Sequence, residues 1–342
     1  MKDRNKGDEP MHHLCVRVVL VAAALLGIAA ALPAVASCGS ASCFLVTHSD
    51  EGVETQGAFQ IDLSYRYVVQ TKKLEGSHST SEVLVPGIDF ENEVIEPDHH
   101  REIGTRTTTV LANLSYGITP RVSVFGVLPL AVDKIHEHVD DVGTPDEHFT
   151  NADGTRGFGD VAVGARYALL VRAKDLLVGS ASVKLPTGAY KLLDSGGAIN
   201  EPTIQPGTGS YDGLFTLYYV RHQLSSPFEW FVSGSERLNE RNPLEYRVGD
   251  EIVATAGMCY AASPRWVFSL QANGRHAGRD DYRGQGVAST GSDAVSLSPG
   301  VRFRSGNQLE LYGYVQLPVY QNVNEAQLAP RAGFIVGISK SF

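Results

Sequence analysis

From Ala58 onward the chain alternates apolar and polar residues with a period of two, the pattern of strands that separate two unlike media. The first run states it most clearly. Phe59, Ile61, Leu63, Tyr65, Tyr67 and Val69 share one face, while Gln60, Asp62, Ser64, Arg66 and Gln70 fill most of the other. The alternation recurs at 108–118, where Val110, Ala112, Leu114 and Tyr116 oppose Thr107, Thr109, Asn113 and Ser115, and again after Thr119-Pro120. Continued along the chain it predicts further strands near 121–132, 158–170, 175–188, 210–222, 227–238, 247–260, 265–277, 293–304, 308–320 and 331–342. With the two runs above, these make about twelve.

The connections alternate as well. Tight links at Thr119-Pro120, Val171 to Lys174, Gln223 to Ser226, Ala261 to Pro264 and Ser305 to Asn307 separate longer loops near 71–106, 133–157, 189–209, 239–246, 278–292 and 321–330. Short turns at one end, long loops at the other and an even strand number predict an all-β, antiparallel transmembrane outer-membrane β-barrel over 58–342. A soluble β-sandwich also alternates. It is disfavoured by strands of roughly 11–14 residues, longer than soluble strands usually run, and by the regular alternation of loop length. The last strand, with Phe334, Val336, Ile338 and Phe342 on one face, reads as the segment by which barrel-assembly machinery recognises its clients. Outer-membrane lipids are then the partner of the apolar faces, and Tyr65, Tyr67, Tyr116, Tyr167, Trp230, Tyr260 and Trp266 suit its interfacial girdles. Pro129, Pro186, Pro299 and Pro318 fall within the strand pattern and point to bulges or strand ends.

Ahead of this region, Arg17 precedes an apolar run from Val18 to Leu32, and Ala34-Val35-Ala36 supplies the small residues of a cleavage site. Residues 1–36 therefore read as a signal peptide, with Met11 a plausible true start, and 37–57 as a periplasmic N-terminal tail. The apolar run is short for a spanning helix, and no later run reaches the roughly 20 residues one needs. Export places Cys38 and Cys43 in an oxidising compartment, where the pair reads as a small local disulfide or as structurally idle. Val35-Ala36-Ser37-Cys38 also resembles a lipoprotein box that would leave Cys38 acylated.

The formal charge of −9 and the lack of a basic run beyond the N-terminus exclude nucleic acid as a partner. The glycine-rich segment from Gly157 to Tyr167, followed by Val183-Lys184-Leu185-Pro186-Thr187-Gly188 and by Gly207-Thr208-Gly209-Ser210-Tyr211-Asp212, resembles the MetA-pathway phenol-degradation family. The resemblance implies an outer-membrane barrel for passive or facilitated passage of a small-molecule solute, hydrophobic or aromatic compounds among them. The glycines and turn residues of these motifs are architectural, so fold transfers better than substrate.

If alternate residues face inward, the lumen receives Asp62, Arg66, Asp160, Arg166, Lys184, Glu229, Glu251, Arg302 and Glu310. Four cations against five anions form no one-signed ladder for a charged solute; they suit a neutral-solute path or salt bridges that fill a narrow barrel. The loop 135–148 holds His136, His138, Asp140, Asp141, Asp146, Glu147 and His148, and His99-His100 sits between Asp98 and Glu102. These groups are chemically adequate for a divalent metal, but their spacing is unspecific, so they read as solvated loop charge with no metal and no cofactor. The reading is non-enzymatic. A lipid hydrolase would need a rim His and Ser; His276 could neighbour Asp250, but no Ser stands two residues away on its face. A closed structural or adhesive barrel is the other alternative. The loop Ala189–Gly209, with Pro186, Pro202 and Pro206 and five glycines in or beside it, is expected to fold toward the mouth.

Overall fold

The structure, a computed structural model, describes residues 46–47, 52–223, 226–306 and 308–342. The expected signal segment 1–36 and the pair Cys38 and Cys43 lie outside the described residues. Every regular element described is a β-strand. Twelve strands make the wall: β1 (Phe59–Glu75), β2 (Val94–Thr119), β3 (Val122–Asp140), β4 (Ala162–Val171), β5 (Asp175–Lys184) and β6 (Asp212–His222). The second half comprises β7 (Phe228–Leu238), β8 (Glu251–Ala261), β9 (Trp266–Ala277), β10 (Ser292–Ser305), β11 (Leu309–Val323) and β12 (Ala326–Ser341).

Each strand runs antiparallel to its neighbours in sequence. Strand β1 pairs with β2 on one side (Phe59 opposite Tyr116) and with β12 on the other (Gln60 opposite Ser341), so the sheet closes. Closure leaves no edge with unpaired N–H and C=O groups, the condition for β-structure in hydrocarbon. Sidedness follows the alternation: Gln60, Asp62, Ser64 and Val68 are buried inside, while Leu63 and Tyr65 are 43% and 45% exposed on the outer surface. Further round, Phe268 and Leu270, Leu297, Leu317, and Val336 and Ile338 continue the outward apolar face. Aromatics gather at the short-turn end, where Phe59–Phe342, Phe228–Tyr260 and Trp266–Phe303 ring centroids lie 6.5, 5.0 and 4.8 Å apart. In an outer-membrane barrel this is the periplasmic end.

Three strands reach beyond their expected limits. β2 starts at Val94 rather than near 108, β3 runs to Asp140 rather than 132, and β1 runs to Glu75. Residues expected in loops are paired instead, with Arg101 opposite Val139 and Thr105 opposite His136. Above the bilayer neither face meets lipid, so polar residues occupy both faces and the apolar–polar contrast fades while the backbone ladder continues. The expected loop 321–330 is likewise a tight hairpin at Asn324-Glu325, with Glu325 at φ +44°.

The prolines mark irregularities. The β2–β3 register shifts between Val110 and Leu111, opposite Pro129, and the β10–β11 register shifts between Val295 and Ser296, opposite Pro318. Pro186 lies past the end of β5. Pro299 remains in its strand, opposite Leu270 of β9. At Pro129 and Pro318 a bulge accommodates the missing N–H, and at Pro186 the strand has already ended.

Candidate functional site

The three glycine-rich segments meet at Asp160. One carboxylate oxygen accepts from Gly188 N (2.9 Å); the other accepts from Thr208 N (2.8 Å) and pairs with Lys184 Nζ (2.9 Å). Lys184 also pairs with Asp212 at 2.5 Å, and Asp212 accepts from Ser210 Oγ and from Glu240 N. Thr187 Oγ1 closes the ring, accepting from Val161 N and donating to Gly159 O. Gly188 and Gly207 pass so close that a Cβ built on either would lie 2.8–2.9 Å from the other's backbone. Only glycine permits that approach. The knot fixes both ends of the loop 189–209.

Between those ends the loop turns inward. Ile204 and Gln205 are buried. Lys134 Nζ of β3 donates to Thr203 O (2.7 Å) and Gln205 O (3.0 Å), and Thr155 Oγ1 donates to Ile204 O. Asn242 Nδ2, from the loop after β7, donates to Thr208 O (2.8 Å). A second group of loops joins it. Tyr246, Tyr282 and Val287 form an apolar cluster with Ile88, Phe90, Ile95 and Val248, and Arg279 clasps Glu325 at 2.7 and 3.1 Å. Tyr246 donates to Asp280 at 2.6 Å; burial first, then that carboxylate, hold its phenol well above the ordinary value, so it remains a donor. Cavities of about 100 and 140 Å³ remain beneath this cap, the first lined by Lys134 and Gln327 and the second by Lys134 and Arg275.

The nine charged residues assigned to the lumen fall into two tiers. At the loop end, Asp160 and Lys184 belong to the knot, and Glu251 accepts from Arg275 at 2.9 Å. Toward the turn end, Asp62, 1% exposed, accepts from Tyr312 Oη (3.0 Å) and Asn113 Nδ2 (3.3 Å). Arg166 stacks 4.4 Å over Phe125 and lies 4.0 Å from Glu54. Glu310 pairs with Arg304 at 2.9 Å, Glu229 with His222, and Arg302 is buried beside Cys259. Arg66 is half-buried, its Nε without a hydrogen-bond partner. A cavity of about 210 Å³ opens among Glu229, Cys259, Val267 and Arg302. His276 takes Asp293 as its carboxylate (2.9 Å); Asp250 is engaged by Asn239 N and Arg247 instead.

The tail assigned to 37–57 contributes to the turn end. Ser115 Oγ donates to Glu54 (2.9 Å), and Gly57 N donates to Gly117 O (2.8 Å). A Cβ on Gly117 would sit 2.1 Å from Thr55 O, so the tail lies directly on β2. Farther back, Val46 N and O bond the side-chain amide of Gln271 on β9, at 3.3 and 2.9 Å, and Val46 packs with Tyr218, Val220, Phe231 and Val267. Val46 and the stretch 52–57 thus lie at the lumen near its turn end.

The histidines depart most from the sequence reading. Expected in solvated loops, His100, His136 and His138 are buried, because the extended β2 and β3 place them on the inner face under the loop 189–209. His100 Nε2 lies 2.8 Å from Glu201 and 3.5 Å from Glu102. His136 Nδ1 contacts Thr105 Oγ1 at 3.0 Å, and the His136 and His138 rings lie 4.5 Å apart. His148, Asp146 and Glu147 are exposed. Glu201 and Thr105 carried no sequence signal of their own.

A closed twelve-stranded outer-membrane barrel whose lumen is narrowed by chain at both mouths has the fold of an outer-membrane channel. The chain belongs to the family described as "Putative MetA-pathway of phenol degradation", whose model matches residues 97–329. The COG4313 outer membrane channel from Pseudomonas putida F1 matches 87% of this chain with 100% of its own, at 14% identity and TM-score 0.59. The Ralstonia pickettii toluene transporter TbuX matches 86% with 92% of its own, at 12% identity and TM-score 0.42. No curated protein matches.

Proposed function

We propose that this barrel is a conduit for passive or facilitated movement of small compounds, hydrophobic and aromatic ones among them. The observation that carries the reading is that both mouths are narrowed by segments separable from the wall: the tail at Val46 and Glu54, and the loop 189–209 at Ile204 and Gln205. A barrel serving only as a scaffold or adhesin is filled most simply by its own inward side chains. Between the mouths the charges are mixed in sign, with Glu310 paired to Arg304 and Glu229 to His222, which suits a neutral solute better than an ionic one. The aromatic part of the proposal rests on the family's association with phenol degradation. Single cavities of about 100, 140 and 210 Å³ bracket the roughly 150 Å³ that accepts benzene in an apolar cavity, although their linings here are partly charged.

The test is planar-bilayer conductance together with liposome uptake of a phenol, on wild type and on a variant lacking Leu193–Thr203 with both flanks of the knot kept. Wild type should pass solute with low conductance, and the deletion should raise it. Absence of conductance and uptake from both proteins, each correctly folded, would leave a closed structural barrel. Uptake without conductance would shift the route to the β3–β4 seam. There the ladder stops between the Val127–Ala162 and Val132–Gly157 pairs, across which Gly159 N donates to Pro129 O at 2.9 Å.

A further inference from the structure

We propose that His100, Glu102, His136 and Glu201 form a binding site for a divalent transition-metal ion of the zinc class, and that the bound ion staples the loop 189–209 to the β2–β3 pair. One ligand atom from each residue lies within 4.8 Å of the others, and three of the four residues are buried, with Glu201 partly so. His100 and His136 are each 1% exposed, and His136 Nε2 and Glu102 Oε2 are buried atoms without a hydrogen-bond partner.

The ion pair between His100 and Glu201 does not account for this cluster. It uses one imidazole and one carboxylate, and it leaves a second imidazole nitrogen and a second carboxylate oxygen enclosed and unsatisfied. Two carboxylates within 4.8 Å of each other in a buried setting repel, and a cation between them removes that repulsion while giving each lone pair a partner. Lys134, which lines the same cavity as Glu102 and Glu201, is committed to the Thr203 and Gln205 carbonyls. It ties the loop down at a second point, which keeps Glu201 in place before any ion arrives.

Donor chemistry sets the class. Two imidazole nitrogens and two carboxylate oxygens suit zinc and its first-row neighbours, whereas calcium and magnesium take oxygen ligands. Tetrahedral bonds of about 2.1 Å put ligand atoms about 3.4 Å apart, so side-chain shifts of about 1 Å would close the site. His136 Nδ1 lies 3.8 Å from Glu102 Oε2 and so faces the carboxylates, and Thr105 Oγ1, 3.0 Å from the same nitrogen, helps to hold the ring in that orientation. A second group, His99, His100 and Asp140, shares His100 and is less buried.

The site is independent of what passes through the barrel. Wild-type barrel folded in detergent, stripped with chelator and dialysed, should bind one Zn²⁺ per chain in calorimetry, and Co²⁺ should give the intense visible bands of a four-coordinate site. His136→Ala and Glu201→Gln should each weaken binding about tenfold or more, while His148→Ala should not. Zn²⁺ should slow hydrogen exchange across 189–209 in wild type but not in Glu201→Gln. Absence of saturable binding by wild type would overturn the proposal even if every variant misfolded. So would binding that survives both substitutions unchanged.

Discussion

Asp160 shows how much one side chain organises here, since three motifs distant in sequence are joined by its two oxygens. Removing it strips an acceptor from two backbone N–H groups and a partner from a partly buried lysine. Asp160→Ala should therefore destabilise the folded barrel by about 3 kcal/mol or more, and Asp160→Asn by less, read from denaturant unfolding in detergent. Tyr312→Phe offers a milder contrast: the Asp62 carboxylate keeps Asn113, and the loss of one charge-assisted bond should cost about 1.5–3 kcal/mol. The alternation alone assigns Asp160 and Asp62 to the inner face. That Asp160 gathers Gly188 and Thr208, or that Asp62 faces Tyr312 some 250 residues away, depends on which strands become neighbours after closure.

At the scale of the strand, the period of two is both the signal in the sequence and the physical requirement. Leu297 faces outward in the middle of β10, between Ala272 and Leu317 on its neighbours, and the adjacent Ser296 and Ser298 face inward. An arginine at Leu297 should cost about 2–4 kcal/mol in a bilayer, whereas Ser296→Arg should leave the barrel in the membrane, as heat-modifiability in lipid would show. The tail is tested on β2. Because a side chain at Gly117 would strike Thr55 O, Gly117→Val should displace the tail and raise conductance without unfolding the wall. Its removal changing nothing would place the turn-end constriction among Asp62, Arg166 and Arg302. The upper parts of β2 and β3 were hidden from the periodicity for the reason given by their surroundings: with water or loop on both sides, nothing selects apolar residues on one face.

For the molecule as a whole, strand number, direction and outer face were legible because lipid and water act on every strand alike and leave a local, repeating record. Folded protein should accordingly be rich in β-structure by circular dichroism and heat-modifiable on gels. The glycine motifs also identified the family, because close backbone approaches such as Gly188 to Gly207 demand particular residues at particular places. Tertiary structure alone decided what the barrel encloses. Val46 reaches Gln271, and Glu201 reaches His100, across separations for which no local pattern exists. A histidine on a polar strand end reads as solvated until a distant loop covers it, and burial of that kind is created by packing, not by the residue's neighbours in sequence.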